Sequence, residues 1–165
     1  DYATTISMAD NFLPAFDMNE EREFDKKRDI DLHIEQIKKD IEVKKKWHQP
    51  VTEEDRAIHQ WYLNHLKGAQ DAQRGTLYTI TDECIGCGIC TKVCPVGCIE
   101  LKNQHAIQHL MSEDGTVICN TCMACIHHCP KNAIHLNVPE KNPDARYRNE
   151  HVKLMDIVEA NNQNH

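Results

Sequence analysis

The sequence is poor in the features that mark membrane proteins and nucleic-acid-binding proteins. Aromatic residues make up 5% of the 165 residues, and the mean hydropathy is −0.64. A membrane-spanning helix needs about 18 consecutive apolar residues, and no such run occurs. No segment reads as a secretory signal peptide. Basic residues number 19 against 26 acidic ones, and this negative balance opposes binding to nucleic acid. We therefore expect a soluble, cytoplasmic chain with neither membrane nor nucleic acid as a partner.

Cysteine is abundant and regularly spaced. Eight of the nine cysteines form two runs, each with the spacing C-x2-C-x2-C-x3-C-P. The first run is Cys84, Cys87, Cys90, Cys94 and Pro95, and the second is Cys119, Cys122, Cys125, Cys129 and Pro130. Bacterial proteins that bind two [4Fe-4S] clusters use this spacing. The two runs therefore predict an iron–sulfur protein with two such clusters.

The fourth cysteine of each run is predicted to bind the cluster of the other run. Three cysteines separated by two residues each can surround one cluster, whereas the fourth follows a longer gap and is turned away by proline. The first cluster then takes Cys84, Cys87, Cys90 and Cys129, and the second takes Cys119, Cys122, Cys125 and Cys94. On this pattern neither run can complete a cluster alone.

Other uses of the cysteines fit the pattern less well. Structural zinc sites usually take two pairs of ligands separated by a long spacer, and neither run has that form. A disulfide framework requires an oxidising compartment, to which nothing in the sequence directs the chain. Serine, histidine and aspartate residues arranged for hydrolysis are not apparent either, so we predict no catalytic residue.

The two runs belong to an internal duplication, which predicts a pseudo-symmetric domain. A shift of 35 positions superposes four pairs of residues: Cys84 on Cys119, Pro95 on Pro130, Cys98 on Ala133, and Ile99 on Ile134. Because its counterpart is alanine, the ninth cysteine, Cys98, is predicted to be a small buried side chain beside a cluster. The alternative is a spare ligand or a redox thiol.

Several residues close to the cysteines have two interpretations. Tyr78 fits ordinary packing in a strand, and the alternative is a role in electron relay. His127 and His128 are expected to be surface polar groups, although a histidine next to a cluster could also couple proton uptake to reduction. Gly86 and Gly88 are small, which lets backbone amides approach and donate hydrogen bonds to cluster sulfurs.

The first 76 residues contain no cysteine and read as mostly helical. We expect a short strand over Tyr2–Met8 and a helix from about Arg22 to Lys44–Trp47, where positive charge suits a helix C-terminus. The apolar stripe of this helix is Ile30, Ile34, Ile37 and Ile41. After Pro50, a capping box of Thr52 and Asp55 predicts a second helix. Its apolar residues are Ile58, Trp61, Tyr62 and Leu66, and the segment Gly68–Gly75 is the expected linker.

Residues 77–138 resemble a bacterial dicluster ferredoxin domain. Residues 78–95 read YTITDECIGCGICTKVCP and residues 129–134 read CPKNAI. The resemblance implies an α+β domain in which short antiparallel strands and small helices enclose two [4Fe-4S] clusters that pass one electron at a time. The segment Lys102–Ile118 is longer than in the simplest members, and we expect it to form a hairpin extension with Asp114–Gly115 as its turn.

A second resemblance covers most of the remaining chain. Residues 6–14 with the following helix, and residues 142–152, are similar to bacterial flavodoxin–ferredoxin fusion proteins. The resemblance implies that residues 1–48 are the closing strand, loop and helix of a flavodoxin-like α/β domain. Residues 49–76 would then be a helical linker, 77–140 the 2[4Fe-4S] ferredoxin domain, and 141–165 a C-terminal helical tail. The chain starts at Asp1 without methionine, which fits a fragment.

No flavin-binding residue is predicted in this chain. A flavodoxin fold binds the FMN phosphate in the loop after its first strand, and no phosphate loop of that kind occurs in the 165 residues. FMN is therefore expected only in a longer native protein.

The tail is predicted to end in a short helix with Leu154, Ile157 and Val158. Arg146 and Arg148, which precede it, are expected in solvent; the alternative places them near the clusters or at a contact with a partner.

The sequence thus predicts an electron carrier that relays single electrons through two [4Fe-4S] clusters. Residues 77–140 carry 3 basic and 6 acidic side chains, and an acidic surface suits docking to redox partner proteins that present basic patches. One alternative is the electron-delivery half of a flavin-dependent oxidoreductase, joined to an upstream flavodoxin-like domain. A second alternative is a structural or redox-sensing iron–sulfur module.

Overall fold

The computed structural model describes residues 1–66, 78–110, 112–115 and 118–161. The strands are β1 (Tyr2–Ala3), β2 (Trp47–His48), β3 (Tyr78–Ile80), β4 (Ile99–Lys102), β5 (His105–Gln108) and β6 (Ile134–Leu136). The helices are α1 (Met18–Asp25), α2 (Ile30–Glu42), α3 (Glu53–Leu66), α4 (Ile89–Val93), α5 (Ala124–His128) and α6 (Leu154–Ala160). The described residues form two compact units, 1–10 with 20–66 and 11–19 with 78–161. This small mixture of helices and strands agrees with the predicted α+β class. The predicted linker Gly68–Gly75 lies outside the described residues.

The strand at the start of the first unit is shorter than predicted. It covers Tyr2–Ala3 instead of Tyr2–Met8, and it pairs in parallel with β2, with Tyr2 opposite Trp47. Beyond the strand, the side-chain oxygen of Gln49 accepts hydrogen bonds from the Thr4 hydroxyl (3.0 Å) and the Thr5 amide (2.9 Å). A side chain therefore supplies the partner that a longer strand ladder would provide.

The single helix predicted from about Arg22 is divided into α1 and α2. In the turn between them, Lys27 N–H donates to the Phe24 carbonyl (3.1 Å) and Arg28 N–H donates to the Asp25 carbonyl (3.0 Å). The Arg28 guanidinium lies 3.7 Å from the centre of the Phe24 ring, and its Nη1 is 3.5 Å from Asp25 Oδ1. Because these contacts favour hydrogen bonds three residues apart over the α-helical spacing of four, the helix is interrupted.

Asp40 is the buried centre of a polar network in the first unit. Its carboxylate accepts hydrogen bonds from Lys45 Nζ (2.8 Å), Gln36 Nε2 (2.9 Å) and the Tyr2 hydroxyl (3.0 Å). The hydrogen bond from Lys45 is the main cause that holds the pKa of Asp40 below its ordinary value. Helix α2 ends at Glu42, so the predicted lysine-rich helix end lies beyond the last helical turn, and Lys45 reaches back to Asp40.

Helix α3 begins as predicted. The Thr52 amide and hydroxyl both donate to Asp55 Oδ2, over 2.8 and 2.7 Å. The Asp55 amide in turn donates to the Thr52 hydroxyl oxygen over 3.1 Å. This reciprocal pair is a capping box, which satisfies amides that the first helical turn leaves without partners.

The apolar stripe predicted on α2 is not fully buried among the described residues. Ile34 and Ile41 are exposed, as are Ile58 and Trp61 on α3. Within the first unit, the helices therefore present apolar side chains to the surface.

The second unit is built on two short antiparallel strand pairs. Strand β3 pairs with β6, with Tyr78 opposite Leu136, and β4 pairs with β5, with Lys102 opposite His105. The first pair joins the start of the first cysteine-containing half to the end of the second half. The two halves are thereby closed into one structure.

The β4–β5 hairpin lies upstream of Asp114–Gly115, the turn expected for the hairpin extension predicted over Lys102–Ile118. The β4–β5 turn lies at Asn103 and Gln104, which have left-handed φ values of 51° and 60°, as tight two-residue hairpins require. Gly115 belongs to a separate turn, in which its N–H donates to the Ser112 carbonyl (2.9 Å). Beyond this turn, the Ile118 N–H donates to the Leu110 carbonyl (3.0 Å), so a turn does lie at the predicted Asp114–Gly115. The β4–β5 turn was missed because Asn-Gln lacks the glycine that usually marks a tight hairpin turn in a sequence.

The internal duplication extends to the backbone angles. Three positions in each half have left-handed φ, and the shift of 35 relates them in pairs: Gly86 (65°) with Thr121 (54°), Gly88 (75°) with Met123 (59°), and Gly97 (64°) with Asn132 (53°). Glycine adopts this conformation freely, whereas other L-residues do so at a cost of roughly 1 kcal/mol each. The second half therefore keeps the backbone of the first although it lacks the glycines.

The tail of the second unit ends in α6, which confirms the predicted C-terminal helix. The expectation that Arg146 lies in solvent was wrong, because its Nη1 lies 2.9 Å from Glu140 Oε2 and both side chains are buried. Glu140 Oε1 also accepts the Leu136 amide (2.9 Å) at the end of β6. The pairing makes burial of both charges tolerable.

In the described part of the chain, no helix has the length and apolar character needed to cross a membrane.

Candidate iron–sulfur centre

One cavity of the second unit, here called the first cavity, is lined by cysteines from both runs. These cysteines are Cys84, Cys87, Cys90 and Cys129. Apolar side chains that include Ile85 and Ile134 line it as well. This is the set of sulfurs that the sequence pattern predicts for the first cluster.

Another cavity, called the second cavity, has the complementary set. It is lined by Cys94, Cys119, Cys122 and Cys125, together with Cys98, Tyr78, Val96 and Met123. Four of its cysteines are those predicted for the second cluster. The four sulfurs of each set border a space and do not converge on one point; among the described residues, no three Cys, His, Asp or Glu side chains form a site for a single metal ion.

Helices α4 and α5 each contribute to both cavities. Cys90 lies on α4 and lines the first cavity, whereas Cys94 directly follows the helix and lines the second. Cys125 on α5 lines the second cavity, and Cys129 after that helix lines the first. The chain is extended at both fourth cysteines, with ψ of 113° at Cys94 and 116° at Cys129. This change of direction brings each fourth cysteine to the other cavity.

Backbone amides donate hydrogen bonds to four of the cysteine sulfurs. The pairs are Ala106 to Cys84 (3.4 Å), Cys98 to Cys94 (3.3 Å), Thr121 to Cys119 (3.4 Å) and Ala133 to Cys129 (3.2 Å). The second and fourth pairs are related by the internal duplication. Such bonds stabilise negative charge on sulfur and are one means by which a protein sets the potential of a cluster.

Without iron, the crowded and buried thiols favour their protonated forms, and positively charged iron would favour the ionised forms that bind it. Burial, followed by the neighbouring thiols, raises the pKa of Cys90 to about 11 and that of Cys125 to about 12. The neighbours that act on Cys90 are Cys84, Cys87 and Cys129, which line the same cavity. Four cysteines at each cavity match the all-cysteine donor set of a [4Fe-4S] cluster, and the residues present therefore fit that group.

The β4–β5 hairpin packs against the cysteine loop of the first cavity. Its turn residue Gln104 lies close to Gly86. A Cβ added to Gly86 would stand 2.3 Å from the Gln104 carbonyl oxygen. The neighbouring Ala106 is the donor to Cys84. Nothing in the sequence indicates these contacts, because they join segments about twenty residues apart through an unmarked turn.

Tyr78 is buried beside the second cavity. Its side chain belongs to the apolar core, and its hydroxyl lies 4.0 Å from Cys119 Sγ. Burial raises the pKa of the hydroxyl above its ordinary value. This burial fits the packing interpretation of Tyr78.

His127 is buried, whereas the sequence pattern places it at the surface. Its Nε2 lies 3.0 Å from the Asn11 carbonyl oxygen, and its Nδ1 accepts the Tyr147 amide over 3.1 Å. The second bond requires a lone pair on Nδ1, so the proton of the neutral ring sits on Nε2 and is donated to Asn11. The imidazole thus joins α5 to two segments that are distant from it in sequence.

Cys98 confirms the prediction of a small, buried side chain beside a cluster site. It is 2% exposed, and its Sγ lies 3.4 Å from Cys94 Sγ. Burial raises the pKa of its thiol above the ordinary value, and the nearby Cys94 adds to this shift.

Replacement of Cys98 by alanine is expected to leave both cluster sites loaded. The duplicated position already holds Ala133, and the backbone donor to Cys94 is kept, so only a small packing loss of roughly 1 kcal/mol should follow. Iron and sulfide analysis should still give about eight of each per chain. Loss of about four irons in Cys98→Ala would instead identify Cys98 as a ligand.

Comparison with known proteins agrees with the geometry of the cavities. Residues 83–134 match the family of 4Fe-4S dicluster domains. The ferredoxin-like protein in the nif region of Trichormus variabilis is 35% identical over 54 residues, which are 33% of this chain and 42% of that protein. An uncharacterized ferredoxin of Methanocaldococcus jannaschii is 35% identical over 66 residues, which are 38% of this chain and 82% of that protein. No solved structure matches the chain.

The two cysteine-lined cavities and the matched domain define an iron–sulfur protein of the dicluster class, whose cofactors are [4Fe-4S] clusters. The 66 residues matched to the Methanocaldococcus ferredoxin cover 82% of that protein, and the chain therefore belongs to the ferredoxin family. The chain spans about two fifths of the length of the Trichormus relative.

Proposed function

We propose that this chain carries single electrons between redox partner proteins through two [4Fe-4S] clusters. The first cluster is held by Cys84, Cys87, Cys90 and Cys129, and the second by Cys119, Cys122, Cys125 and Cys94. The observation that carries the proposal is the grouping of these eight side chains around two cavities, four to each.

The side chains around each cavity suit one-electron chemistry. A bound [4Fe-4S] cluster accepts and releases one electron at a time. The cysteines supply thiolate ligands, and the amides of Ala106, Cys98, Thr121 and Ala133 stabilise negative charge on the ligand sulfurs. Ile126 and Ile134 belong to the same buried core as Cys90 and Cys94 and keep water away from these inner ligands, which also influences the potential.

Each cavity has a route to the surface and a connection to the interior. Cys87 and Cys122, which the internal duplication relates, are exposed, whereas Cys90 and Cys94 are buried. An electron could therefore enter or leave at the exposed cysteine of either site. Helices α4 and α5, which contribute to both cavities, provide the protein medium between the sites.

The proposed partners present a basic surface. The ferredoxin region has more acidic than basic side chains, and complementary charge accelerates the association of redox proteins. Eight cysteines that serve as cluster ligands and form no disulfide suit a reducing compartment such as the cytoplasm.

A second candidate function is the electron-delivery half of a flavin-dependent oxidoreductase. It rests on residues 1–48 being the closing part of a flavodoxin-like domain, followed by a linker (49–76), the ferredoxin domain (77–140) and a tail (141–165). The parallel pairing of β1 with β2 supports this view, because parallel strands joined through helices are typical of α/β domains. The exposed Ile34 and Ile41 on α2 provide an apolar surface that the rest of such a domain would cover.

Anaerobic iron and sulfide analysis, combined with electron paramagnetic resonance (EPR) during reductive titration, tests the proposed function. We expect about eight irons and eight sulfides per chain and magnetically coupled signals on reduction. Four or fewer irons, or clusters that resist reduction, would contradict the electron-carrier proposal and favour a structural or sensing role. A flavodoxin-type phosphate loop encoded upstream in the native gene would support the second candidate.

A further inference from the structure

The proline after each fourth cysteine removes a hydrogen-bond donor from the end of a ligand-bearing helix. In a short helix, a carbonyl near the C-terminus can accept the amide of the third residue further along. For His127 on α5 that residue is Pro130, and for Lys92 on α4 it is Pro95. Proline has no N–H. The carbonyls of His127 and Lys92, which the duplication relates, therefore each lack the backbone donor that a residue other than proline would supply.

A side chain of the C-terminal segment donates to the first of these carbonyls. Arg148 Nε lies 3.0 Å from the His127 carbonyl oxygen. The adjacent Tyr147 amide is bonded to the His127 ring, so two consecutive residues of the segment bind both the backbone and the side chain of His127. One contact from each residue, the Tyr147 amide and the Arg148 side chain, therefore holds this part of the segment against α5.

The same segment also reaches the second carbonyl. Asn161 Nδ2, just beyond α6, lies 3.4 Å from the Lys92 carbonyl oxygen. This hydrogen bond is longer than that of Arg148 and is correspondingly weaker. Two donors from one segment thus bind carbonyls that are equivalent in the two halves, although Arg148 and Asn161 are not themselves related by the duplication.

We propose that Arg148 and Asn161 are positioning residues for the two crossed ligands. Each donor fixes a peptide group two residues before a fourth cysteine: Arg148 acts toward Cys129, and Asn161 acts toward Cys94. On the ligand assignment proposed above, on which this inference rests, Arg148 supports the first cluster and Asn161 supports the second. The C-terminal segment replaces the backbone donors that Pro130 and Pro95 withhold.

The test is the rate of iron release to a ferrous chelator under anaerobic conditions, measured on the full chain. Arg148→Met keeps most of the side-chain length but removes the donor, and we expect about five- to tenfold faster loss of one cluster, in keeping with one lost hydrogen bond. Asn161→Ala should accelerate loss of the other cluster about twofold, because its bond is longer. Arg148→Lys retains a donor and a charge, and it should restore much of the slower rate.

Controls separate this inference from general destabilisation and from the proposed function. Arg56→Met makes the same Arg-to-Met change at an exposed position of α3 in the first unit, so its release rate should match that of the unaltered chain. EPR spectra of the partly depleted proteins identify the remaining cluster. The cluster that remains in Arg148→Met should be the second, which also remains in Cys84→Ser. The cluster that remains in Asn161→Ala should be the first, which also remains in Cys119→Ser.

Two results would overturn the inference. Equal acceleration of both clusters in both variants would indicate general loosening, and release rates unchanged from those of the unaltered chain would show that the donors do not position the ligands. If the unaltered chain itself binds fewer than about eight irons, the proposed ligand assignment fails instead.

Discussion

Cys129→Ser is expected to abolish the first cluster and to leave the second, although Cys129 belongs to the second run. Cys94→Ser should have the opposite effect. The reason is the geometry of the cavities: Cys129 lines the cavity of the first run, and Cys94 lines the cavity of the second. In each variant the iron content should fall from about eight to about four per chain.

A comparison with variants within each run decides which cluster is lost. Cys84 belongs to the first run and lines the first cavity, so Cys84→Ser removes the first cluster whether or not the fourth cysteines cross over. Cys119→Ser does the same for the second cluster. The cluster that remains in Cys129→Ser should match that of Cys84→Ser in reduction potential and in EPR spectrum. The cluster that remains in Cys94→Ser should likewise match that of Cys119→Ser.

The Cys94 variant is best made in a Cys98→Ala background. Cys98 Sγ lies 3.4 Å from Cys94 Sγ, and its removal takes away the cysteine of this cavity that is not itself a predicted ligand and could replace the lost one. The crossed assignment would be refuted if Cys129→Ser matched Cys119→Ser, since each run would then hold its own cluster.

The cysteine positions could be predicted because their information is local in sequence. Regular gaps and the proline after each run specify which side chains share a cavity, and the helices α4 and α5 realise that spacing. The duplication could be extended in the same way. Met123 adopts the left-handed φ of Gly88, which the alignment of the two runs implies but which methionine by itself does not indicate.

The contacts that surround the cavities could not be predicted in this way. His127 binds Asn11, 116 residues away, and Arg146 pairs with Glu140 in a segment without regular structure. Such contacts depend on how distant segments meet, and histidine and arginine are more often exposed. Pro130 was a usable local signal, because it withholds a donor from the His127 carbonyl and thereby implies that another group approaches it.

The first unit shows the limit of hydrophobic periodicity. The spacing of Ile30, Ile34, Ile37 and Ile41 correctly predicted a helix over the region of α2. It did not reveal that the helix starts only at Ile30, because the Arg28 contacts with Phe24 and Asp25 that end the preceding turn leave no periodic signal. Periodicity also does not specify what covers an apolar stripe.

Gly86→Ala is expected to weaken the first cluster site strongly. The added Cβ would stand 2.3 Å from the Gln104 carbonyl oxygen and 2.8 Å from its carbonyl carbon, and φ is +65°. Strain from the positive φ and displacement of backbone together should cost about 2 to 5 kcal/mol. Because the hairpin would have to move, the hydrogen bond from Ala106 to Cys84 should also be lost, and the potential of the first cluster should fall.

Two other glycines separate the steric effect from the backbone strain. Gly115 has φ of +81°, and no atom of the described residues lies within 4 Å of an added Cβ, whereas at Gly88 (φ +75°) the nearest atom is Leu101 Cδ1 at 3.3 Å, which belongs to a flexible side chain. Loss of stability and of iron should therefore decrease in the order Gly86→Ala, Gly88→Ala, Gly115→Ala, with about 1 to 2 kcal/mol for the last. Thermal unfolding and iron analysis of the three variants would measure both. Equal losses at Gly86 and Gly115 would show that φ alone limits these positions, and the hairpin would then have no part in holding the first cluster site.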